Sequence, residues 1–404
     1  MSMIDTIQGA DFQARHTLLA LRSGEPGRIA TALTLEAGHV ASIGGTIGQR
    51  RGDRIMRTAE ALARRIDQPY ALAFAELIRG VGDFLNGRFR PAVDRAERAA
   101  ALLHDRCAGA TWESDTAAWF AVTARFYLGR YGELARQLTR LLDDAHVRGD
   151  LYASTLFSTL LAQSVFIGND ELERARETLD RARRQWPAEG FHIQHYWLLL
   201  GDAFVDIYRG EGRRAWDRVR ASWPAFVGSQ LPRIAMVHAQ MLHLRGASAL
   251  AAATESGTAR EGSELIEVAE RAAGNLVRGR IVLMRPMGLL LRAGTAAARG
   301  KKERATALLE RAAQGFDAAE MALHAAAARR HQARLAGGET GRARARAADE
   351  IMAAEGICDP ERMTAMLAPG FGPRAGQASL VSRWPAGARG SAPASGAGAS
   401  SPSG

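Results

Sequence analysis

Between about residues 53 and 371, one arrangement of apolar and polar positions recurs along the chain. A stretch carrying large apolar residues at helical spacing ends in a short glycine-containing turn. A second helical stretch follows, in which Ala and Leu are set among Arg and Glu. The turns mark the period. Phe84 to Phe89 reads Phe-Leu-Asn-Gly-Arg-Phe and Phe126 to Tyr131 reads Phe-Tyr-Leu-Gly-Arg-Tyr, an offset of 42 residues that lays Phe84 on Phe126 and Phe89 on Tyr131. Gly168-Asn169-Asp170, Gly210-Glu211-Gly212 and Arg299-Gly300-Lys301 continue the series. Similar second helices open with Arg90-Pro91-Ala92, Glu173-Arg174-Ala175, Arg213-Arg214-Ala215-Trp216 and Glu303-Arg304-Ala305.

Self-similarity at about 40 residues in helix-forming sequence predicts a solenoid of helix pairs. A single pair cannot cover its own apolar face, so neighbouring pairs stack and share a core, and Ala at the contacts lets the helices approach closely. The expected fold is therefore all-α, a TPR-like antiparallel helix-pair solenoid. Gly80, Ala92 and Ala99 sit at the spacing of the small residues in a TPR unit. The period is nonetheless longer than the TPR's roughly 34 residues, and most of the Trp-Leu-Gly-Tyr signature is missing.

Three segments are expected. Residues 1–52 form an N-terminal helical or capping segment, with helical periodicity around Ile29, Leu33 and Leu35 and a break at Gly44-Gly45-Thr46-Ile47-Gly48. Residues 53–371 form the repeat domain. Residues 372–404 form a disordered tail, because from Ala375 onward the chain is Gly, Ala, Ser and Pro with little to bury.

Composition agrees with a folded helical protein. Hydrophobic residues are 47% and charged residues 24% of the 404, too apolar for wholesale disorder. The net charge of +10 would suit a polyanion if it were concentrated, but it is spread along the chain. Two cysteines, Cys107 and Cys358, make neither a disulfide framework nor a thiolate metal site. Residues 1–22 lack the apolar block of a signal peptide, and no run approaches the ~20 apolar residues of a membrane span, so the expected location is the cytoplasm.

No motif for chemistry is complete, and neither a catalytic residue nor a cofactor is assigned. The Gly44–Gln49 loop has neither a following Lys-Ser/Thr nor dinucleotide spacing, so it reads as a turn rather than a phosphate cradle. His192 and His195, and His238 and His243, come closest to metal ligands, yet no carboxylate or third ligand completes either set. Asp202 and Asp206 share a helix face one turn apart, and with Arg209 and Arg213 behind them they read as a solvated or ion-paired face rather than an acid/base pair. The Arg329–Arg346 run lacks interleaved aromatics and alternates Arg at every second position near its end, which disfavours nucleic acid.

The densest feature is aromatic. Trp186, Phe191, Tyr196, Trp197, Phe204, Tyr208, Trp216, Trp223 and Phe226 fall within about 40 residues. On the helix beginning near Phe191, Tyr196 and Trp197 are adjacent and diverge, so these rings cannot share one narrow stripe. Some of them must face a groove or a second neighbour. Solenoids offer partners a concave face, where Tyr, Trp and Arg anchor binding. The candidate partner-binding residues are accordingly His192, His195, Tyr196, Trp197, Tyr208 and Trp216.

Several local strings carry a family resemblance. They are Arg106-Cys107 followed by Trp112-Glu113 and Asp115-Thr116; Arg148-Gly149-Asp150-Leu151-Tyr152-Ala153; Gly190 to Trp197; and Met363 to Phe371. With them, the stretch from about Arg54 to Phe371 resembles the C-terminal helical-repeat region of large bacterial serine/threonine protein kinases, in which a kinase domain and an ATPase-like module precede TPR-like repeats. The resemblance implies a non-catalytic interaction or sensor segment whose partner is a kinase or ATPase signalling protein. It does not imply kinase activity, because the family's Gly-rich loop, His-Arg-Asp loop and Asp-Phe-Gly triplet have no counterpart here. The alternative is a transcriptional regulator of the ATPase–TPR type lacking its DNA-binding domain.

Overall fold

The computed structural model describes residues 6–185 and 189–372; Trp186 and the tail expected from residue 373 onward lie outside the described residues. Among the described residues there are nineteen α-helices and no strand. After α1 (Thr6–Ser23), antiparallel pairs follow one another. They are α2 (Pro26–Ser42) with α3 (Gly45–Ile66), α4 (Pro69–Leu85) with α5 (Phe89–Arg106), and α6 (Thr111–Leu128) with α7 (Tyr131–Val147). Next, a bent first helix, α8 (Leu151–Ser158) and α9 (Leu160–Gly168), pairs with α10 (Leu172–Gln185). Then come α11 (Ile193–Arg209) with α12 (Gly212–Gly228), α13 (Ala235–Glu255) with α14 (Ala259–Arg278), and α15 (Arg285–Ala298) with α16 (Lys302–Ala318). The last pair, α17 (Ala322–Ala336) with α18 (Gly338–Ala354), is capped by α19 (Pro360–Leu367). This is the helix-pair solenoid expected from the sequence.

The repeated turn is a helix C-cap. At the ends of α4, α6, α9, α11 and α15, a left-handed residue stops the helix: Gly87, Gly129, Asp170, Gly210 and Gly300, with φ of 80°, 78°, 59°, 80° and 72°. In each case its N–H donates to the carbonyl three residues back, of Phe84, Phe126, Ile167, Ile207 and Ala297. The next N–H donates to the carbonyl five back, of Asp83, Arg125, Phe166, Asp206 and Ala296. This doubly bonded closure satisfies two of the helix's orphan carbonyls, and it demands a residue that tolerates positive φ. Asp, with its short polar side chain, is among the few alternatives to Gly.

Three of these helices also carry a buried charged side chain one turn before the cap, tied to the second helix of its pair. Asp83 accepts from Arg88 and, at 3.0 Å, from Arg95; Arg125 donates to Glu133 at 3.2 Å and to Gln137 at 2.9 Å; Asp206 accepts from Arg218 at 2.8 Å.

At the N-terminus, the helix break is confined to Ile43 and Gly44. The boundary drawn at residue 52 falls inside α3, which runs on to Ile66 and pairs with α2 as the first repeat. Gly48 and Gly52 belong to this helix because they face α2: a Cβ at either would lie 3.2 Å from the Val40 carbonyl oxygen or 3.1 Å from that of Ala37. Their glycines mark close packing and not a loop.

The superhelix winds so tightly that early and late repeats touch. Gly129, after α6, abuts Leu323 at the start of α17. The Gly132 N–H donates to Glu355 at 3.2 Å, and the Cys358 N–H donates to the Gly168 carbonyl at 2.9 Å. Arg362 of α19 pairs with Asp170 at 2.6 Å, and Arg90 pairs with Glu320 at 2.6 Å. One continuous apolar core therefore extends from Phe84 to Ala368. The inner face that an open solenoid would show to solvent is filled by the chain itself.

Among the described residues no single helix is long and apolar enough to cross a membrane. The bent pair α8 and α9 passes by length and composition, yet Leu156, Phe157, Leu160, Leu161 and Ile167 are all in the core.

Candidate functional site

The predicted groove residues lie inside the molecule. Tyr196, Trp197, Tyr208 and Trp216 are all buried, none more than 8% exposed. The Tyr196 hydroxyl donates to Gln240 of α13, and the Trp197 ring lies 4.9 Å from Trp119 of α6. Tyr208 is covered by the Arg362 guanidinium, 4.8 Å from its ring centre. The assignment of these four to an open partner surface is therefore corrected. Diverging aromatics on α11 meet a second and a third neighbour, because the winding brings α6, α13 and α19 against the same helix. His192 and His195 are half-buried at the start of α11 and cap it reciprocally, the His192 N–H donating to His195 Nδ1 at 3.1 Å. Of the two states the sequence left open for Asp202 and Asp206, solvated or ion-paired, the structure has the second, with Arg176 and Arg183 of α10 and Arg218 of α12 as partners.

Where the first helices converge they leave a void of about 30 Å³. Phe126 and Tyr127 of α6, Leu200 and Phe204 of α11, Met287 of α15, and Met366 and Leu367 of α19 supply most of its apolar wall, with Met284. The polar members are Gln240 and His243 of α13 and His324 of α17. Gln240 is engaged on both sides: its amide NH₂ donates to the Tyr127 hydroxyl and its carbonyl accepts from Tyr196. Burial pushes both tyrosine hydroxyls up and keeps them neutral.

The two imidazoles differ from this satisfied chain. His243 Nε2 and His324 Nδ1 are buried and have no hydrogen-bond partner within the described residues. Desolvation lowers His243 to about 4, and desolvation with the nearby His243 lowers His324 to about 3, so both rings are neutral at pH 7. In the sequence His243 stands out only by its spacing from His238, and His324 not at all. Nothing local marks either one, because they are 81 residues apart and meet only through the winding.

A second feature lies at the edge where α6 begins, α7 ends and α8 begins. Val147 and Leu151 are 86% and 73% exposed, and Trp112 and Tyr152 are 48% and 37% exposed. Burial pushes the Tyr152 hydroxyl up, and the neighbouring Trp112 side chain works the other way. Arg148 holds this corner together, donating to Asp115 at 3.0 Å, to Asp144 at 2.9 Å and to Asp150 at 3.3 Å. Burial pushes the Asp115 carboxyl up, and the Arg148 contacts work the other way. Three carboxylates around one guanidinium leave local negative charge on a chain whose net charge is +10. Two of the sequence strings, 106–116 and 148–153, converge here.

The described residues gather no group of three or more His, Cys, Asp and Glu that would hold an ion. Arg342, Arg344 and Arg346 are solvent-exposed on α18. No protein-family model matches the chain, and no curated protein matches it.

Proposed function

We propose that the protein is a non-catalytic scaffold that binds another protein through the edge formed by Trp112, Val147, Leu151 and Tyr152. One observation carries the reading: large apolar and aromatic side chains stand together in solvent on a rigid helical frame, whereas most of the chain's other aromatics are in the core. Aromatic anchors of this kind supply most of the energy at protein interfaces. The excess of carboxylates around Arg148 favours a partner whose apolar contact is flanked by Lys or Arg. The resemblance to kinase-associated repeats supports a kinase or ATPase signalling protein as the partner class. That edge takes over the role the sequence assigned to the inner face.

The test is capture of a partner from the native host by the wild-type chain and by the Trp112→Ala/Tyr152→Ala double variant. Loss of two exposed anchors should weaken the captured partner by about 2 kcal/mol or more, at least tenfold, with the melting temperature little changed. Equal capture by both folded proteins removes the edge from the reading.

A further inference from the structure

We propose that the central void is a binding site for a soft monovalent metal ion, Cu(I), held by the imidazoles of His243 and His324 with one or two thioethers drawn from Met284, Met287 and Met366. This inference is independent of the partner-binding edge, since the two share no residue. The first support is unmet bonding capacity. Gln240, Tyr127 and Tyr196 satisfy one another, so the polar groups left at the void are His243 Nε2 and His324 Nδ1, both buried and without a hydrogen-bond partner. A buried polar atom left so costs free energy that an occupant would recover.

The second support is the identity of the neighbours. Three methionines from the segment before α15, from α15 itself and from α19 line the same void, and all three are buried. Thioether and imidazole donors are soft or borderline, and thioether sulfur selects Cu(I) over the hard cations, which require oxygen.

Charge decides between metals. No carboxylate and no thiolate lines the void, and the two cysteines are not among its residues. A divalent ion would bring two positive charges into an apolar interior with no anion to offset them, whereas a monovalent ion halves the charge and forms strong bonds to neutral donors. Size decides against an organic ligand. A void of about 30 Å³ admits an ion or a few waters and is far below the roughly 300–1,000 Å³ of an organic-ligand pocket.

The experiment is anaerobic competition of the full chain, carrying Cys107→Ser and Cys358→Ser to remove the free thiols, against a chromophoric Cu(I) chelator. One Cu(I) per chain is expected, with X-ray absorption reporting mixed nitrogen and sulfur ligation. Met284→Leu/Met287→Leu, close in volume to the native pair, should lower the affinity at least tenfold. His324→Leu should do the same and serves if the methionine variant fails to fold. The proposal is overturned if no ion is retained against the chelator, if both folded variants bind as the parent does, or if Zn(II) binds the site as tightly as Cu(I). Retention of water alone in the void of a crystal grown with Cu(I) would also overturn it.

Discussion

Acidification from pH 7.5 to pH 5 should strip this protein of a large part of its stability, through histidines held neutral in the core. His324 and His331 are each 5% exposed. Desolvation lowers both to about 3, helped at His324 by His243 and at His331 by Arg334. His331 sits over Phe371 with ring centres 3.9 Å apart, its Nε2 hydrogen-bonded to the Ala368 carbonyl at 2.9 Å. In the unfolded chain each returns to about 6.5. The folded value is below the unfolded one, so the unfolded state takes up protons first. Full stability is present above pH 6.5, and it falls as pH drops from 6.5 towards the folded values near 3. Between pH 7.5 and 5 the loss is about 2 kcal/mol per histidine, or about 4 kcal/mol for the two. His243, lowered to about 4, adds up to about 2 kcal/mol more, discounted because part of its surface stays in water. Ordinary carboxylates, titrating near 4, contribute little in this window. For a protein stable by about 5–15 kcal/mol this is a large shift. Urea unfolding at pH 7.5, 6.5, 5.5 and 5.0 measures it directly. His324→Leu, which cannot titrate, should recover between about a third and a half of the pH dependence. The reasoning is refuted if stability varies by less than about 1 kcal/mol across the window, or if the variant retains the whole dependence.

Two further expectations concern the frame. Gly129→Ala should destabilise more than Gly210→Ala: both force a left-handed alanine, costing roughly 1–2 kcal/mol, but only at Gly129 would the new Cβ also lie 2.8 Å from the Leu323 backbone nitrogen. Equal midpoints in urea would mean that the contact between early and late repeats gives way freely. Asp206→Ala should cost about 3–5 kcal/mol, because it leaves Arg176, only 14% exposed, without its main counter-charge. A melting temperature within a few degrees of the parent would show that Asp202 takes over the pairing.

The periodic part of the fold was legible because its causes are local. The run Phe-Leu-Asn-Gly-Arg-Phe at 84–89 is a helix end in its own right: an apolar anchor, a residue free to adopt positive φ and the start of the next helix. Asp170, in a turn read from Gly168 and Asn169, shows that the requirement is the backbone angle and not the glycine. Gly48 and Gly52 misled for the complementary reason. In a sequence, glycine that breaks a helix and glycine that lets another helix approach look alike, and only the position of α2 tells them apart.

Sequence by itself determined that the chain is built of helix pairs and placed five of their C-capping turns. These follow from contacts within a pair or between adjacent pairs, where residue spacing fixes geometry. Only the tertiary structure decided which face of α11 meets solvent. Small rotations between successive pairs add up along a solenoid, and here they bring α6, α13, α17 and α19 together across the axis. Tyr196, Trp197 and Tyr208 are core for that reason, His243 and His324 meet for that reason, and Trp112 and Tyr152 stand in solvent because no later repeat reaches the edge they occupy. The accumulated rotation depends on packing at every interface, and no local stretch of residues encodes it.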